Sequence, residues 1–317
     1  MPIVAPSSEN LDRAAKTLRD GGVVAIPTET VYGLAANAMD ARAVAHVYEI
    51  KRRPSFDPLI VHVLDEAMLG SVAAAIPDAA RALIARFWPG PLTVVLPKAA
   101  GVPSLATSGL PMVAIRMPAH PVARSLLERS GVPLAAPSAN RFGGLSPTRA
   151  VHVAAQLGDA VDLIVDGGAC EYGLESTIVA FDEGVRVLRP GAVALESLAE
   201  VLPEVRLDRR EAERPIVPGQ LPHHYAPRTP LRVVAPGGGS SDERARAGFL
   251  GFARPAAGYA HVRVLSAAGE LREAAARLFE TLYELDALNL DRIDAEPVPE
   301  VGLGVAIMDR LRRASAR

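Results

Sequence analysis

The sequence predicts an α/β protein: a twisted, open, mixed sheet with flanking helices, followed by a smaller C-terminal α/β unit. Three observations carry this. Short apolar runs recur along the chain, separated by single helical segments and irregular polar loops, as strands of an open mixed sheet are. At 317 residues the chain exceeds what one small core organises. Residues 203–230 change character, with charges and prolines replacing the apolar runs. The expected organisation is therefore a first domain at 1–202, a linker or lid at 203–230, and a small domain at 231–317.

Taken in order, Ser8 is placed to cap a helix through Leu11, Ala14, Ala15 and Leu18, closed by Gly21-Gly22. The apolar run Val23-Val24-Ala25-Ile26 reads as a buried strand. It hands over abruptly to Pro27-Thr28-Glu29-Thr30-Val31-Tyr32-Gly33-Leu34, a polar stretch of the kind that gathers ligands beyond strand ends. Asp40 caps a helix with Val44, Val47 and Tyr48 on one face and Lys51-Arg52-Arg53 in its last turn, where cations favour the macrodipole. At that position Lys51 is expected to contribute little stability.

Leu59-Ile60-Val61-His62-Val63 is the next strand, followed by an alanine-rich helix near 77–87. The turn Trp88-Pro89-Gly90-Pro91 delivers the chain into the strand Leu92-Thr93-Val94-Val95-Leu96, with Trp88 read as a packed turn side chain. Val113-Ala114-Ile115-Arg116 is a strand ending on a charge. A helix over about 121–129 precedes the strand Val132-Pro133-Leu134-Ala135-Ala136. That strand opens into a second polar, glycine-bearing loop at 137–148, rich in hydroxyl and amide groups. A helix at 148–156, the strand Leu163-Ile164-Val165 and strands at 175–179 and 185–187, the last running into Leu188-Arg189-Pro190-Gly191, complete the first domain. Beyond the linker come a strand at 231–234, a glycine loop at 236–241, a helix and strand to 265, a long amphipathic helix over 269–288 and a last helix near 305–314.

Composition excludes several classes. A net charge of −2 without a strongly basic segment lacks the footprint of a dedicated nucleic-acid binder, although a balanced total is compatible with one focused basic cleft. Cys170 is the only cysteine, so neither an internal disulfide nor a thiolate metal cluster is expected. The apolar runs fall short of a membrane span, and Met1-Pro2-Ile3-Val4-Ala5 lacks the form of a signal peptide; a cytoplasmic protein without membrane association is expected. His223-His224 invites a metal reading, but neighbouring residues seldom chelate one ion, and no metal site built from protein side chains is expected. Gly237-Gly238-Gly239 and Gly302-Leu303-Gly304 match neither a P-loop nor a dinucleotide fingerprint.

What remains is a set of hydroxyls in strand-end loops (Thr28, Thr30, Ser138, Ser146, Ser176), dispersed cations (Lys51, Arg52, Arg53, Arg116, Arg189) and one strand histidine, His62. There is no nucleophile elbow, zinc-protease or Walker motif. Such a set suits holding anions and small polar groups better than forming a covalent intermediate. Phosphoryl or nucleotidyl transfer needs little else: positioning, charge neutralisation and usually Mg²⁺. Only three of the 34 basic residues are lysines (Lys16, Lys51 and Lys98), so Lys51 in a basic cluster is mildly informative as a compact charge for a phosphate. Each part also has a plain structural reading: a β-turn for the threonine loop, dipole-complementing cations for the helix end, a carbonyl-bonded core histidine for His62.

The motifs together resemble the threonylcarbamoyl-AMP synthase family, with its YrdC-like domain. They are, in order, residues 27–34, Lys51-Arg52-Arg53-Pro54 with Pro58-Leu59-Ile60-Val61-His62, Trp88-Pro89-Gly90-Pro91-Leu92-Thr93, Arg116-Met117-Pro118, Ala136-Pro137-Ser138-Ala139-Asn140, Glu175-Ser176-Thr177-Ile178 and Leu188-Arg189-Pro190-Gly191. Pro218-Gly219 with His224-Tyr225-Ala226-Pro227, then a small Rossmann-like domain, resembles the longer two-domain form. The resemblance implies synthesis of threonylcarbamoyl-AMP from L-threonine, bicarbonate and ATP with Mg²⁺, no organic cofactor, and release of pyrophosphate. It also implies hand-over of the product to the tRNA threonylcarbamoyl transferase machinery, for N6-threonylcarbamoyladenosine beside the anticodon; direct tRNA binding stays open. By the same resemblance Thr30, His62, Arg116, Ser176 and the Ala136 backbone hold threonine. Lys51 and Arg53 neutralise phosphates, with Asp57, Ser138, Ser146 and Arg189 also on the nucleotide and Tyr225 closing over it from the linker. Two positions depart from the family: Asp57 where asparagine is usual, and Met112 where threonine is frequent.

A rival of another class is a non-catalytic RNA-binding module of the same fold, and a third is a related hydrolase or regulator without synthesis. The charge balance and the scarcity of aromatics for stacking weigh against the RNA module. The intact Lys51/Arg53 pair and Ser138-Ala139-Asn140 weigh against the third.

Overall fold

The computed structural model describes residues 3–210, 215–221, 224–235 and 241–316. Among the described residues eleven strands form the first sheet, in the order Ile3–Val4, Leu163–Val165, Val24–Ile26, Gly33–Asn37, Leu134–Ala135, Ile60–His62, Met112–Arg116, Leu92–Pro97, Thr177–Ala180, Arg186–Arg189 and Arg206–Leu207. Parallel and antiparallel pairing are mixed, as the sequence predicts: Leu92–Pro97 lies antiparallel to Met112–Arg116 and parallel to Thr177–Ala180.

The pleat sorts side chains between the two faces. One register row, Val61, Ile115, Val94 and Val179, enters the larger core with helix Ala41–Lys51. The next row, Ile60, Ala114, Val95 and Ala180, faces the other way and is covered by Val217 of the linker. Burying such apolar strips, at about 25 cal/mol per Å², is what holds the sheet to its layers.

Among the described residues the second sheet has four parallel strands, in the order Leu231–Val233, Arg292–Ala295, Ala247–Gly251 and His261–Val264. Its Leu250 and Ile293 share a core with Leu278, Phe279 and Leu282 of helix Leu271–Asp286 and with Ile307 and Leu311 of helix Leu303–Ser315.

Several local expectations shift. The first helix starts at Ser8, with Ser7 as the cap accepting from the Asn10 amide. Gly33–Asn37 is a strand near the middle of the sheet, although Gly-Leu-Ala-Ala-Asn carries no β-branched residue; pairing on both edges supplies what propensity does not. Arg292–Ala295 was likewise hidden by its charged residues, and two strands stand where one was expected before residue 265. Pro222 and His223, and with them the paired-histidine motif, lie outside the described residues, as do Gly237-Gly238-Gly239. Among the described residues no helix is long and apolar enough to cross a membrane.

Candidate active site

One register row builds the floor of the site. His62 pairs with Arg116, Arg116 with Thr93, Thr93 with Ile178 and Ile178 with Arg189, so five strands present these residues in line at one end of the face that Val217 covers. Two loops close over this row, and they are stitched to each other. The Tyr32 amide donates to Pro147 O (2.8 Å), the Ala139 amide to Tyr32 O (2.8 Å) and the Leu34 amide to Pro137 O (2.7 Å). Within the first loop Thr28 Oγ1 donates to Val31 O (2.6 Å) and accepts from the Thr30 amide, a hydroxyl-closed turn. The cavity between them, partly open to solvent, holds about 510 Å³ of empty space counted out to its mouth.

At one end Arg116 is fixed on three sides. Its Nε donates to Gly90 O (3.1 Å), Nη1 to Thr30 Oγ1 (2.7 Å), and Nη2 lies 2.6 Å from Glu29 Oε1. A guanidinium carries five N–H groups, so each Nη keeps one for a ligand carboxylate. Burial opposes ionisation of Glu29, but the charge and hydrogen bond of Arg116 outweigh it and hold its carboxyl below the usual range. Beside them His62 is buried with no hydrogen-bond partner on either ring nitrogen. Burial first, and then the Arg116 charge, push its pKa down to about 3, so the ring is neutral. Contacts of the ring with the Leu134 and Ile60 main chain, outside good hydrogen-bond geometry, pull the other way without outweighing burial. Ser176 Oγ sits 2.7 Å from Thr93 Oγ1, and the Ala136 amide is engaged by Ile60 O (3.0 Å).

The other end is more cationic. Arg189 donates through Nη2 to Ser176 O (2.9 Å) and through Nη1 to Pro218 O (3.2 Å), joining the floor to the linker. Arg53 donates through Nε to Asp57 O (2.9 Å) and through Nη2 to Pro58 O (2.8 Å), with Nη2 also 2.9 Å from Asp57 Oδ1. Burial raises the Asp57 pKa against the pull of Arg53, Lys51 and Arg189.

Lys51 departs from the expectation of a helix-end cation that contributes little stability. The helix Ala41–Lys51 ends there because Arg52 turns left-handed, at φ 51°, and Lys51 points inward, 1% exposed. Its ammonium donates to Ser138 O (2.5 Å) and Asn140 O (2.6 Å).

The linker forms the roof. Tyr225, at φ 62°, is buried with its hydroxyl unpartnered, and its ring lies 4.2 Å from that of His224. A left-handed tyrosine costs about 1–2 kcal/mol, and neighbours on all sides enforce it. Gly219, at φ 86°, is required here, because a Cβ would run into the Tyr225 hydroxyl. The Ala226 amide donates to Gly143 O (2.9 Å), tying the roof to the second loop. Burial, and then Arg53, Lys51, Arg189 and Arg310, depress the His224 pKa well below that of a free histidine.

Of the residues that the resemblance implies, Thr30, His62, Arg116, Ala136 and Ser176 line the cavity, as do Arg53, Ser138, Arg189 and Tyr225. Lys51, Asp57 and Ser146 stand behind the wall. Lys51 braces the second loop, Asp57 faces Arg53, and Ser146 donates to Glu175. Sequence reasoning assigned no role to Glu29, Glu175, Gly219 or Arg310. Glu29 and Glu175 sit inside motifs already singled out, which was a usable signal; Arg310, far along the chain, gave none. Among the described residues no group of three or more His, Cys, Asp or Glu could hold a metal ion. The arrangement can bind a polyanion and a small carboxylate side by side, while Ser146, the hydroxyl that meets the Glu175 carboxylate, stands behind the wall and not in the cavity.

Comparisons with known proteins point to one family. The family model described as "Telomere recombination" matches residues 16–191, and that described as "Threonylcarbamoyl-AMP synthase, C-terminal domain" matches residues 193–316. The threonylcarbamoyl-AMP synthase of Bacillus subtilis is 40% identical, over 98% of this chain and 94% of its own length. That of Pyrococcus abyssi is 41% identical, over 95% and 93%. The crystal structure of P. abyssi Sua5 complexed with L-threonine superposes with a TM-score of 0.93 at 39% identity, covering 99% of this chain and 98% of that one.

Proposed function

This chain belongs to the threonylcarbamoyl-AMP synthase family, and on that premise we propose that it makes threonylcarbamoyl-AMP and pyrophosphate from L-threonine, bicarbonate and ATP. The observation that carries the reading is the single cavity with two unlike ends. Arg116, Thr30, His62 and Ser176 offer a carboxylate fork, hydroxyls and a neutral imidazole for an amino acid. Arg53, Arg189 and Ser138, under Tyr225, offer charge and donors for a polyphosphate. The P. abyssi complex with L-threonine supports the first assignment.

The chemistry needs no protein nucleophile. The threonine amine adds to the carbon of bicarbonate, with loss of water, to give a carbamate. A carbamate oxygen then attacks the α-phosphorus of ATP; the bond from that phosphorus to the bridging oxygen breaks, and pyrophosphate leaves. The protein's part is to hold both substrates in line and to screen phosphate charge with Arg53 and Arg189, while Lys51 keeps the Ser138 loop in place. Mg²⁺ would supply further charge neutralisation. With no carboxylate cage among the described residues, the nucleotide phosphates and water would hold it. The product is a mixed carbamic–phosphoric anhydride, fragile in water, and the linker over Tyr225 excludes solvent from it. We propose a cytoplasmic enzyme that passes this product to the tRNA threonylcarbamoyl transferase machinery.

The test is to supply ¹³C-bicarbonate with ATP, Mg²⁺ and L-threonine and to analyse nucleotides by mass spectrometry. A threonylcarbamoyl-AMP carrying one ¹³C is expected. AMP or ADP without any labelled adenylate contradicts the reading.

A further inference from the structure

We propose that Arg310, in the last helix of the C-terminal domain, is a positioning residue for the reaction: it seats linker Tyr225 over the cavity and, through Glu175, fixes Ser146 at the nucleotide end. This rests on the functional reading above and deepens it by giving the C-terminal domain a task at the site.

Arg310 is 1% exposed and does not line the cavity. Its Nε donates to Glu175 Oε2 (2.8 Å) and its Nη2 to Pro190 O (3.0 Å), both on the first domain; within its own helix it meets Asp309 at 2.5 Å. Its guanidinium carbon lies 4.8 Å from the centre of the Tyr225 ring. The other oxygen of Glu175 accepts from Ser146 Oγ. One cation thus touches the roof and, through one carboxylate, the wall.

A second tie leaves the same helix. Arg313 pairs with Asp309 (3.0 Å) and donates through Nη1 to Gln220 O (3.0 Å) and Leu221 O (2.8 Å). The linker is therefore held to helix Leu303–Ser315 both at Gln220–Leu221 and at Tyr225. Burying a guanidinium in an interface is seldom more stabilising than apolar packing of the same volume. What this arrangement does supply is register: Phe279 of the neighbouring helix flanks Tyr225, with 5.9 Å between ring centres, and Arg310 fixes its face. When the helix is displaced, Tyr225 and Ser146 lose their supports together, while Arg116, Thr30 and His62 keep theirs.

The experiment uses the full chain as Arg310→Met, Arg310→Lys, Tyr225→Leu and the Arg310→Met/Tyr225→Leu double variant. It reads KM for ATP, KM for threonine, kcat from pyrophosphate release, and amide exchange of the linker. Arg310→Met is expected to raise KM for ATP about tenfold, to leave KM for threonine within about twofold, and to speed linker exchange. Arg310→Lys should recover part of each. In the Tyr225→Leu background Arg310→Met should add less than about twofold, the mark of one residue acting through the other. Equal rises in both KM values, or fully multiplicative effects, overturn the proposal. Should Arg310→Met fail to fold, Arg310→Lys decides: faster linker exchange supports the relay and unchanged exchange overturns it. If the unaltered protein releases no threonine-dependent pyrophosphate, the functional reading fails, and linker exchange without substrates still decides the relay.

Discussion

Lys51 donates its ammonium to the carbonyl oxygen of Ser138 at 2.5 Å, and so ties a helix end to the loop that follows a distant strand. Together with the bond to Asn140 O, this makes Lys51 a structural brace as well as a charge near the phosphate end. Burial and the Arg53 charge push its pKa well below that of a free lysine, against the pull of Asp57.

Replacing Lys51 by Met therefore strands two buried carbonyls. Unsatisfied buried acceptors cost about 1–3 kcal/mol each. The variant should lose roughly 2 kcal/mol of stability in urea unfolding, together with most of its turnover. A stability within about 0.5 kcal/mol of the parent would contradict the brace.

Arg116→Lys should separate the two ends of the cavity. A lysine keeps the charge but not the planar fork held by Gly90, Thr30 and Glu29. KM for threonine should rise about tenfold or more, with KM for ATP nearly unchanged. Parallel rises in both would show that Arg116 does not define a separate amino-acid end.

Gly219→Ala tests the roof. The position has φ 86°, and its Cβ would meet the Tyr225 hydroxyl. The linker must give way, so turnover should fall about tenfold, and the left-handed alanine should cost about 1–2 kcal/mol of stability. Full activity in this variant would mean that the closed roof is not needed.

His62 gives a pH signature. Its folded pKa, about 3, lies below the unfolded value near 6.5, so the unfolded chain binds the extra proton between these limits. Stability from this group is thus complete above about pH 6.5 and is lost on acidification towards pH 3, by roughly 3–5 kcal/mol in all. Comparing chemical unfolding of the parent and His62→Gln at pH 7 and 5 should show a flatter dependence in the variant. Equal slopes would contradict a buried neutral imidazole.

Much of this molecule was legible in its sequence, for reasons visible in particular residues. Val61, Val94, Ile115 and Val179 are β-branched, apolar and bounded by turn residues, and each strand they announce is present. The loop hydroxyls and Arg116 stood in motifs specific enough to be read together. Gly33–Asn37 was not legible, because its strand character comes from its two neighbours and not from its side chains. Nor was the inward turn of Lys51, which depends on a left-handed Arg52 that only the packed helix end imposes. The alignment of His62, Arg116, Thr93 and Arg189 is a matter of sheet register across crossovers, and no local window contains it. Arg310 lies 135 residues from Glu175, beyond any motif spacing.

The central claim is that one cavity holds an amino acid and a nucleotide for a joint reaction. It is tested most directly by pyrophosphate release from ATP and Mg²⁺ in four matched reactions, with and without L-threonine and with and without bicarbonate. Release that needs both is the expected result; release that is indifferent to threonine contradicts the claim.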